Sequence, residues 1–457
     1  MEEKSVHKHF SRFLLSITFD EDNLDVIKKN ISNQKLYSNT DKNDPVQVWN
    51  AFDDSKINTF FLPHFRHFLS ANAPDNYVYR WKMSKEAMSF LFSFMGKNDI
   101  LKADIHKLSE KFKIIDIELY LFRSGVGILI IETKILKPQG PLQLVHFNYY
   151  MRYIGKYSAK LVFQPNIGER LHPEMEKSLN NKINEYINQY KIEDNKIPEV
   201  FYKLHHYNIK DSQLIFSDEI TFSELILGIL QFVFQDKVAY DFTHDQDNVS
   251  FDILTGERLI LYSYLFNDPL GNDDRLKFVH MLSRVDKESE QTSIGDLDPG
   301  HTRIKQIYEN IFFGVSLEGA TVLVEDNKVQ YIEDEFERTI KGGYFLIFLI
   351  SLHNRLALLN YRHKISKIMP GEISNIINKK LLNQIRTLKN KSVSRYINSY
   401  FAQIANNTAF EEIYHFYNEN LYIDSLSNEI RNKTIELDEI VNLEIERMNN
   451  QMSVKEE

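Results

Sequence analysis

The chain has 457 residues, room for two to four domains at roughly 100–200 residues each, and its 43% hydrophobic and 13% aromatic content is enough to fill real cores. That excludes wholesale disorder. With 55 Lys and Arg against 64 Asp and Glu, the formal net charge is -9, so no global basic field draws the chain onto nucleic acid. Cysteine is absent, which removes disulfide scaffolds, thiolate zinc sites, iron–sulfur clusters and cysteine nucleophiles together and fits a reducing cytoplasm.

Met1–Phe10 carries Lys4, His7, Lys8 and His9 but lacks the apolar run of a signal peptide, so no export signal is expected. Ile114, Ile115, Ile117 and Leu119 set against Asp116, Glu118 and Tyr120 give a period of two, which predicts a strand over Lys113–Tyr120. Arg123, Ser124 and Gly125 predict a turn, with Gly125 and Gly127 able to take positive φ, and the β-branched stretch Ile128–Ile135 returns as a second strand. Pro138–Pro141 breaks that strand, and Leu142, Val145, Tyr149 and Tyr153 at helical spacing predict a helix over Leu142–Ile154.

Thr221–Phe234 is nearly continuous in apolar residues, with Ser217 and Asp218 before it, and reads as a buried crossover helix behind an N-cap. Arg258–Phe266 and Phe313–Val324 read as strands, Leu276–Leu282 as a helical turn or two, and the polar Asp286–Gly300 as a loop. Residues 372–457 contain neither Gly nor Pro, which predicts helix. The helices expected are Glu333–Lys367, Ile373–Ala405 and Ala409–Met448. The longest purely apolar run, Tyr344–Ile350, is far short of the ~20 residues that span a bilayer, so these residues are not expected to cross a membrane. The fold class is an α+β or α/β N-terminal cytosolic domain, residues 1–330, followed by a long-helix bundle, residues 331–457.

Among residues that carry chemistry, Asp116 on the first strand of the hairpin and Glu132-Thr133-Lys134 on the second match the pattern of divalent-metal nucleases. Two residues apart on one strand, Glu132 and Lys134 project from one face, where the carboxylate pairs with Asp116 on a metal and the ammonium lies near a phosphate. The same triplet also suits cross-strand charge pairing on an exposed hairpin, and on that reading it tolerates substitution. His7-x-His9, His64-x-x-His67 and His205-His206 lack the carboxylate spacing of a zinc helix. No phosphate-binding Gly-rich loop and no Gly-x-Ser-x-Gly elbow is present. Arg152, ending an apolar and aromatic helix, can fork onto a phosphate or carboxylate or serve as a C-terminal helix cation. Asp218 can accept from a ribose or amine or serve as an N-cap.

Gly342–Leu359, running Gly-Gly-Tyr-Phe-Leu-Ile-Phe-Leu-Ile-Ser-Leu-His-Asn-Arg-Leu-Ala-Leu-Leu, resembles the long-helix segment of divergent CorA-like proteins, remote bacterial relatives of the pentameric CorA magnesium channels. The strand pair Ile117–Ile131 with its Ser-Gly-Val-Gly turn, the helix ending near Arg152, Phe312–Ser316 and Tyr400–Leu426 extend the resemblance in patches over much of the chain. It implies a cytosolic α/β domain, helices bundled about a symmetry axis, and membrane spans beyond Glu457. Some CRISPR-associated members are thought to be membrane effectors gated by a nucleotide second messenger in anti-phage defence. The Gly-Met-Asn signature of the channels is missing here.

The expectation is therefore a non-enzymatic sensor and stalk on the cytoplasmic side of the inner membrane. Arg152 and Asp218 would bind a nucleotide-derived ligand, with no cofactor, metal or nucleic-acid partner. Leu421, Ile423, Leu426, Ile430, Leu437, Val441 and Met448 form a stripe that a partner helix must cover, which suits a homo-oligomer, pentameric by the resemblance. The metal-dependent nuclease of Asp116, Glu132 and Lys134 and a purely structural assembly protein are the alternatives.

Overall fold

The structure, a computed structural model, describes residues 5–36, 46–52, 60–69, 77–92, 100–105, 108–162, 207–210, 213–216, 219–234, 251–254, 256–286, 303–325, 336–368, 385–387 and 401–456. In chain order the elements are β1 (Val6–Phe19), α1 (Leu24–Asn33), β2 (Lys35–Leu36), β3 (Val46–Gln47), β4 (Trp49–Ala51), α2 (Pro63–Leu69), β5 (Val78–Met83), α3 (Lys85–Phe92), β6 (Leu101–Ile105), β7 (Leu108–Phe122) and β8 (Val126–Ile135). There follow α4 (Pro141–Met151), β9 (Lys160–Val162), β10 (Tyr207–Lys210), β11 (Gln213–Phe216), β12 (Glu219–Thr221), α5 (Phe222–Phe234), β13 (Phe251–Ile253), β14 (Ile260–Asn267) and α6 (Asn272–Arg284). The last are β15 (Ile304–Tyr308), β16 (Ile311–Val315), β17 (Gly319–Glu325), α7 (Phe345–Ile368), α8 (Thr408–Asn420) and α9 (Ile423–Glu456). Two compact units divide the chain: Met1–Asp53, Tyr79–Leu121 and Gly127–Val329 make the first, and Asp54–Val78, Phe122–Val126 and Gln330–Glu457 the second.

The first unit is built on one mixed sheet of thirteen described strands, with β12-β9-β6-β7-β8-β1-β14-β17-β16-β15 as its main path. At its centre β1 runs antiparallel to β14, Phe10 opposite Tyr264 and Arg12 opposite Tyr262, and β14 runs parallel to β17. Sequence reading missed β1. Its Phe13, Leu15 and Ile17 enter the main core while Phe10, Arg12 and Leu14 are buried as well, and a strand buried on both faces loses the polar–apolar alternation that announces one. Helices α1, α4, α5 and α6 supply Ile27, Phe147, Leu225 and Val279 to the same core. The hairpin predicted around Arg123–Gly125 forms as β7 and β8, and Gly125 has φ 74 as a turn glycine should. Gly127, by contrast, lies within β8 with no positive φ.

Pro141 at the first turn starts α4 and Arg152 caps it. Asp273 and Asp274 in the first turn and Arg284 in the last suit the dipole of α6, which runs well beyond the one or two turns predicted. The strand expected over Phe313–Val324 is instead two, β16 and β17. Between them the Ser316 hydroxyl accepts from the Glu318 amide at 3.0 Å and the Ser316 amide donates to the Gly319 carbonyl at 2.8 Å, a turn braced by a side chain and closed on a glycine. Gly319 opens β17 so close to β14 that a Cβ would stand 2.5 Å from the Leu261 carbonyl oxygen. Gly319→Ala is expected to lower stability by about 1–3 kcal/mol, read by thermal unfolding; parental stability would mean that β14 and β17 do not meet this closely.

In the second unit an aromatic cluster packs Phe65, Phe68 and Phe401 with ring centres 5.1 Å to 6.1 Å apart, and Tyr344 sits 4.8 Å from Phe410. Among the described residues one helix, Glu337–Lys367, is long and apolar enough to cross a membrane by length and composition, and 78% of its most apolar window is buried inside the protein. Apolarity all around a helix is what internal burial demands as well. The single helix expected over Ala409–Met448 is broken into α8 and α9, where Tyr422 takes φ 57 and the Arg355 Nη1 donates to the Leu421 carbonyl at 2.8 Å. A side chain has supplied the break that glycine usually makes. Residues 401–405, expected to end a helix begun at Ile373, are not helical, and Ala405 is bridged to Phe61. Most of that predicted helix, the loop over Asp286–Gly300 beyond Asp286, and the side chains of Leu437, Val441 and Met448 lie outside the described residues.

Candidate functional site

Arg152 is placed where α4 stops. Its carbonyl accepts from the Leu259 amide at 2.7 Å, just before β14, and its Nη1 donates to the Arg284 carbonyl at the end of α6 at 3.1 Å. Both contacts suit a cation at a helix C-terminus. They do not account for the whole guanidinium: Arg152 is 3% exposed, and its Nε is buried with no hydrogen-bond partner. A buried donor left unsatisfied costs about 1–3 kcal/mol, so such a group calls for a water, an ion or a ligand.

Around it the site is aromatic and basic. The Arg152 Cζ lies 5.0 Å from the Tyr149 ring centre and 5.3 Å from that of Tyr153, while the exposed Arg258 places its Cζ 5.6 Å from the same Tyr153 ring. A backbone bridge between Tyr153 and Arg258 fixes that pairing. Burial by itself would raise the Tyr153 phenol; hydrogen bonds with Tyr149 and Arg152 and the charges of Arg152 and Arg258 outweigh it and bring the phenol below its ordinary value. Two arginines thus stand against one tyrosine ring at a place where two helix C-termini meet. Asp218, the other ligand-binding residue expected from the sequence, lies outside the described residues.

Of the hairpin residues Asp116, Glu132 and Lys134, the two carboxylates each have a cationic partner. Asp116 Oδ2 pairs with Lys82 Nζ at 2.8 Å, Glu132 Oε2 accepts from Arg12 Nε at 2.8 Å, and Lys134 is exposed. Glu132 is buried, so the expectation that Glu132-Thr133-Lys134 tolerates substitution is corrected at this residue: its carboxylate is half of an internal ion pair. Glu118 and Tyr120, also buried, continue the network, with the Tyr120 hydroxyl donating to Glu118 Oε2 at 3.2 Å. Burial pushes the Glu118 carboxyl up against the opposing pull of Arg12 and Lys82. For Arg12, burial pulls down, but Glu132 and then Glu118 reverse the sign and raise it. Sequence reading missed this cluster, although one arginine inside the apolar run Phe10–Phe19 was a signal that a buried carboxylate had to exist.

No group of three His, Asp or Glu able to hold a metal occurs among the described residues. His7 pairs with Asp268 at 2.9 Å, His64 bonds the Gln403 carbonyl at 2.8 Å, and His205 and His206 lie outside the described residues. His353 is wholly buried, with Nε2 2.9 Å from the Ser124 hydroxyl and its ring stacked 3.9 Å from Phe122. No family model, curated protein or solved structure matches the chain.

Proposed function

We propose that this protein is a ligand sensor whose α/β unit binds a small nucleotide-derived anion beside Arg152, with Asp218 as a polar partner. The observation that carries the reading is the buried Arg152 guanidinium with its unsatisfied Nε, beside a tyrosine ring that a second arginine, Arg258, also approaches. The resemblance to CorA-like proteins supplies the wider context: the sensor and stalk of a membrane effector in CRISPR-linked defence, assembled as a pentamer through its long helices and held to the inner membrane by segments outside these residues. The stripe beginning at Leu421 and Ile423 supports assembly only in part, since both side chains are already buried within this chain.

A guanidinium forked onto a phosphate contributes about 1.5–3 kcal/mol. Arg152→Ala is therefore expected to weaken binding of adenosine monophosphate at least tenfold by calorimetry, and Arg152→Lys, which keeps charge but not the planar fork, to recover only part. Unchanged affinity in a folded Arg152→Ala protein would remove Arg152 from the site. Light scattering that returns a 54 kDa monomer from the protein at micromolar concentration would count against assembly. Metal-dependent cleavage of RNA or DNA that disappears in Lys134→Ala, a change at an exposed side chain, would instead favour the nuclease.

A further inference from the structure

Beyond Arg152 the chain does not leave the site. After Tyr153 and Ile154, Gly155 takes φ 74 and begins a short 3-10 turn over Gly155–Tyr157, which returns the Tyr157 ring to 6.4 Å from the ring of Tyr153. Tyr149 and Tyr153 are themselves 5.6 Å apart at 75°. The three rings form a row whose exposure rises outward, from buried Tyr149 through half-buried Tyr153 to Tyr157 at 65%. Two guanidiniums lie against its middle ring, that of the buried Arg152 at 5.3 Å and that of the exposed Arg258 at 5.6 Å.

The two arginines have unequal work. The carbonyl ends of α4 and α6 both meet Arg152, and the partial negative charge of two helix C-termini opposes an incoming anion. Arg152 already donates to one of those carbonyls. Arg258 is solvent-facing, so it supplies the charge that an arriving phosphate meets first, while the unsatisfied Nε of Arg152 is the inner donor. The outer ring offers a different chemistry. A planar heterocycle stacks on tyrosine without needing a matched hydrogen-bond pattern, and guanidiniums next to aromatic faces are the usual companions of such stacking.

We propose that the row Tyr153–Tyr157 with Arg152 and Arg258 is a nucleotide-binding strip, the phosphate held between the two arginines and the base stacked on Tyr157. This rests on the Arg152 reading and narrows it: the ligand must carry a phosphate and an aromatic ring together, and a sugar phosphate or inorganic phosphate alone satisfies only the inner half. Arg258 is a binding residue, and Tyr157 sets specificity.

The test uses the full chain and three probes, adenosine monophosphate, ribose 5-phosphate and inorganic phosphate, each followed by calorimetry up to millimolar concentration. Adenosine monophosphate is expected to bind at least tenfold more tightly than ribose 5-phosphate. Tyr157→Ala should erase that difference, Tyr157→Phe should preserve it, and Arg258→Ala should weaken all three probes. Tyr157 and Arg258 are exposed, so these variants should keep the parental unfolding midpoint. Equal affinity for the first two probes, or a Tyr157→Ala protein with parental discrimination, overturns the strip and leaves the Arg152 site standing. Loss of binding in Arg258→Ala and Tyr157→Ala with none in Arg152→Ala keeps the outer strip and overturns the inner contact. Failure of every probe to bind the parental protein overturns both.

Discussion

Replacing either Arg12 or Glu132 by alanine is expected to lower the stability of the first unit by about 3–5 kcal/mol, because the partner left behind is a charge sealed from water. Glu132 is 2% exposed and its bond to Arg12 is 2.8 Å long. Replacing both, as Arg12→Met with Glu132→Leu, should restore most of the loss, since apolar side chains of similar volume avoid the desolvation that the pair carries. The remaining carboxyl, Glu118, is already pushed toward its neutral form by burial and so tolerates the loss of its cation. Chemical denaturation followed by tryptophan fluorescence isolates this unit, because the chain's two tryptophans, Trp49 and Trp81, both lie in its core. Parental stability in Glu132→Ala would show that the pair is open to water and would return Glu132 to the list of available carboxylates.

Acid should cost the second unit stability through His353 and the first through His9. Burial holds His353 down to about 3, and burial together with the charge of Lys134 holds His9 down to about 4. Both stay neutral in the folded protein at neutral pH, and the Ile135 amide donates to the His9 ring, which requires that nitrogen to be unprotonated. An unfolded histidine titrates near 6.5. Above that value their contribution is whole. Below it the unfolded state takes up protons that the folded state refuses, and each group loses about 1.4 kcal/mol per pH unit until its folded pKa is reached.

In the first unit Glu118 works in the opposite sense. Its raised folded pKa means the folded state holds a proton that the unfolded state has released, so its contribution grows as pH falls toward the ordinary carboxylate range. As pH falls its gain opposes the loss at His9 in the same unit, while His353 lies in the second unit. Glu118→Gln should therefore raise stability of the first unit at neutral pH and expose the full slope of His9, measured by fluorescence-monitored unfolding from pH 7 to 4. His353→Asn should flatten the acid slope of the second unit, read by tyrosine near-ultraviolet dichroism. Identical slopes in the parent and both variants would sink this assignment.

The hairpin, the helix after Pro141 and the apolar helix after Thr221 were legible because their signals are local: alternation, a glycine at a turn, a proline at a first turn. What stayed hidden depended on partners far along the chain. β1 reads as strand only once β8 and β14 pair with its two edges and both its faces are buried. Tyr422 breaks a helix with neither glycine nor proline, and the Ser316 turn is braced by a hydroxyl. The candidate site was half legible: Arg152 stood out at a helix end, but Arg258 joins it from more than a hundred residues away through a backbone bridge that no spacing announces. Glu132 was seen, and its burial was not, since nothing local tells a paired carboxylate from a solvated one.

The path of the chain between the two units bears on how the molecule can be taken apart. Residues 54–78 and 122–126 belong with the helices after Gln330, although the sheet surrounds them in sequence. A gene cut at residue 330 would therefore yield an N-terminal product that still carries Phe61, Phe65, Phe68 and Tyr77 without Phe401, Phe410 and His353, the rings they pack on. That product should stick to itself. The complementary piece would lack Ser124, the hydroxyl beside His353. Inheritance of this fold is accordingly all or nothing: recombination that swaps the C-terminal helices between diverged copies must carry two short upstream inserts with them.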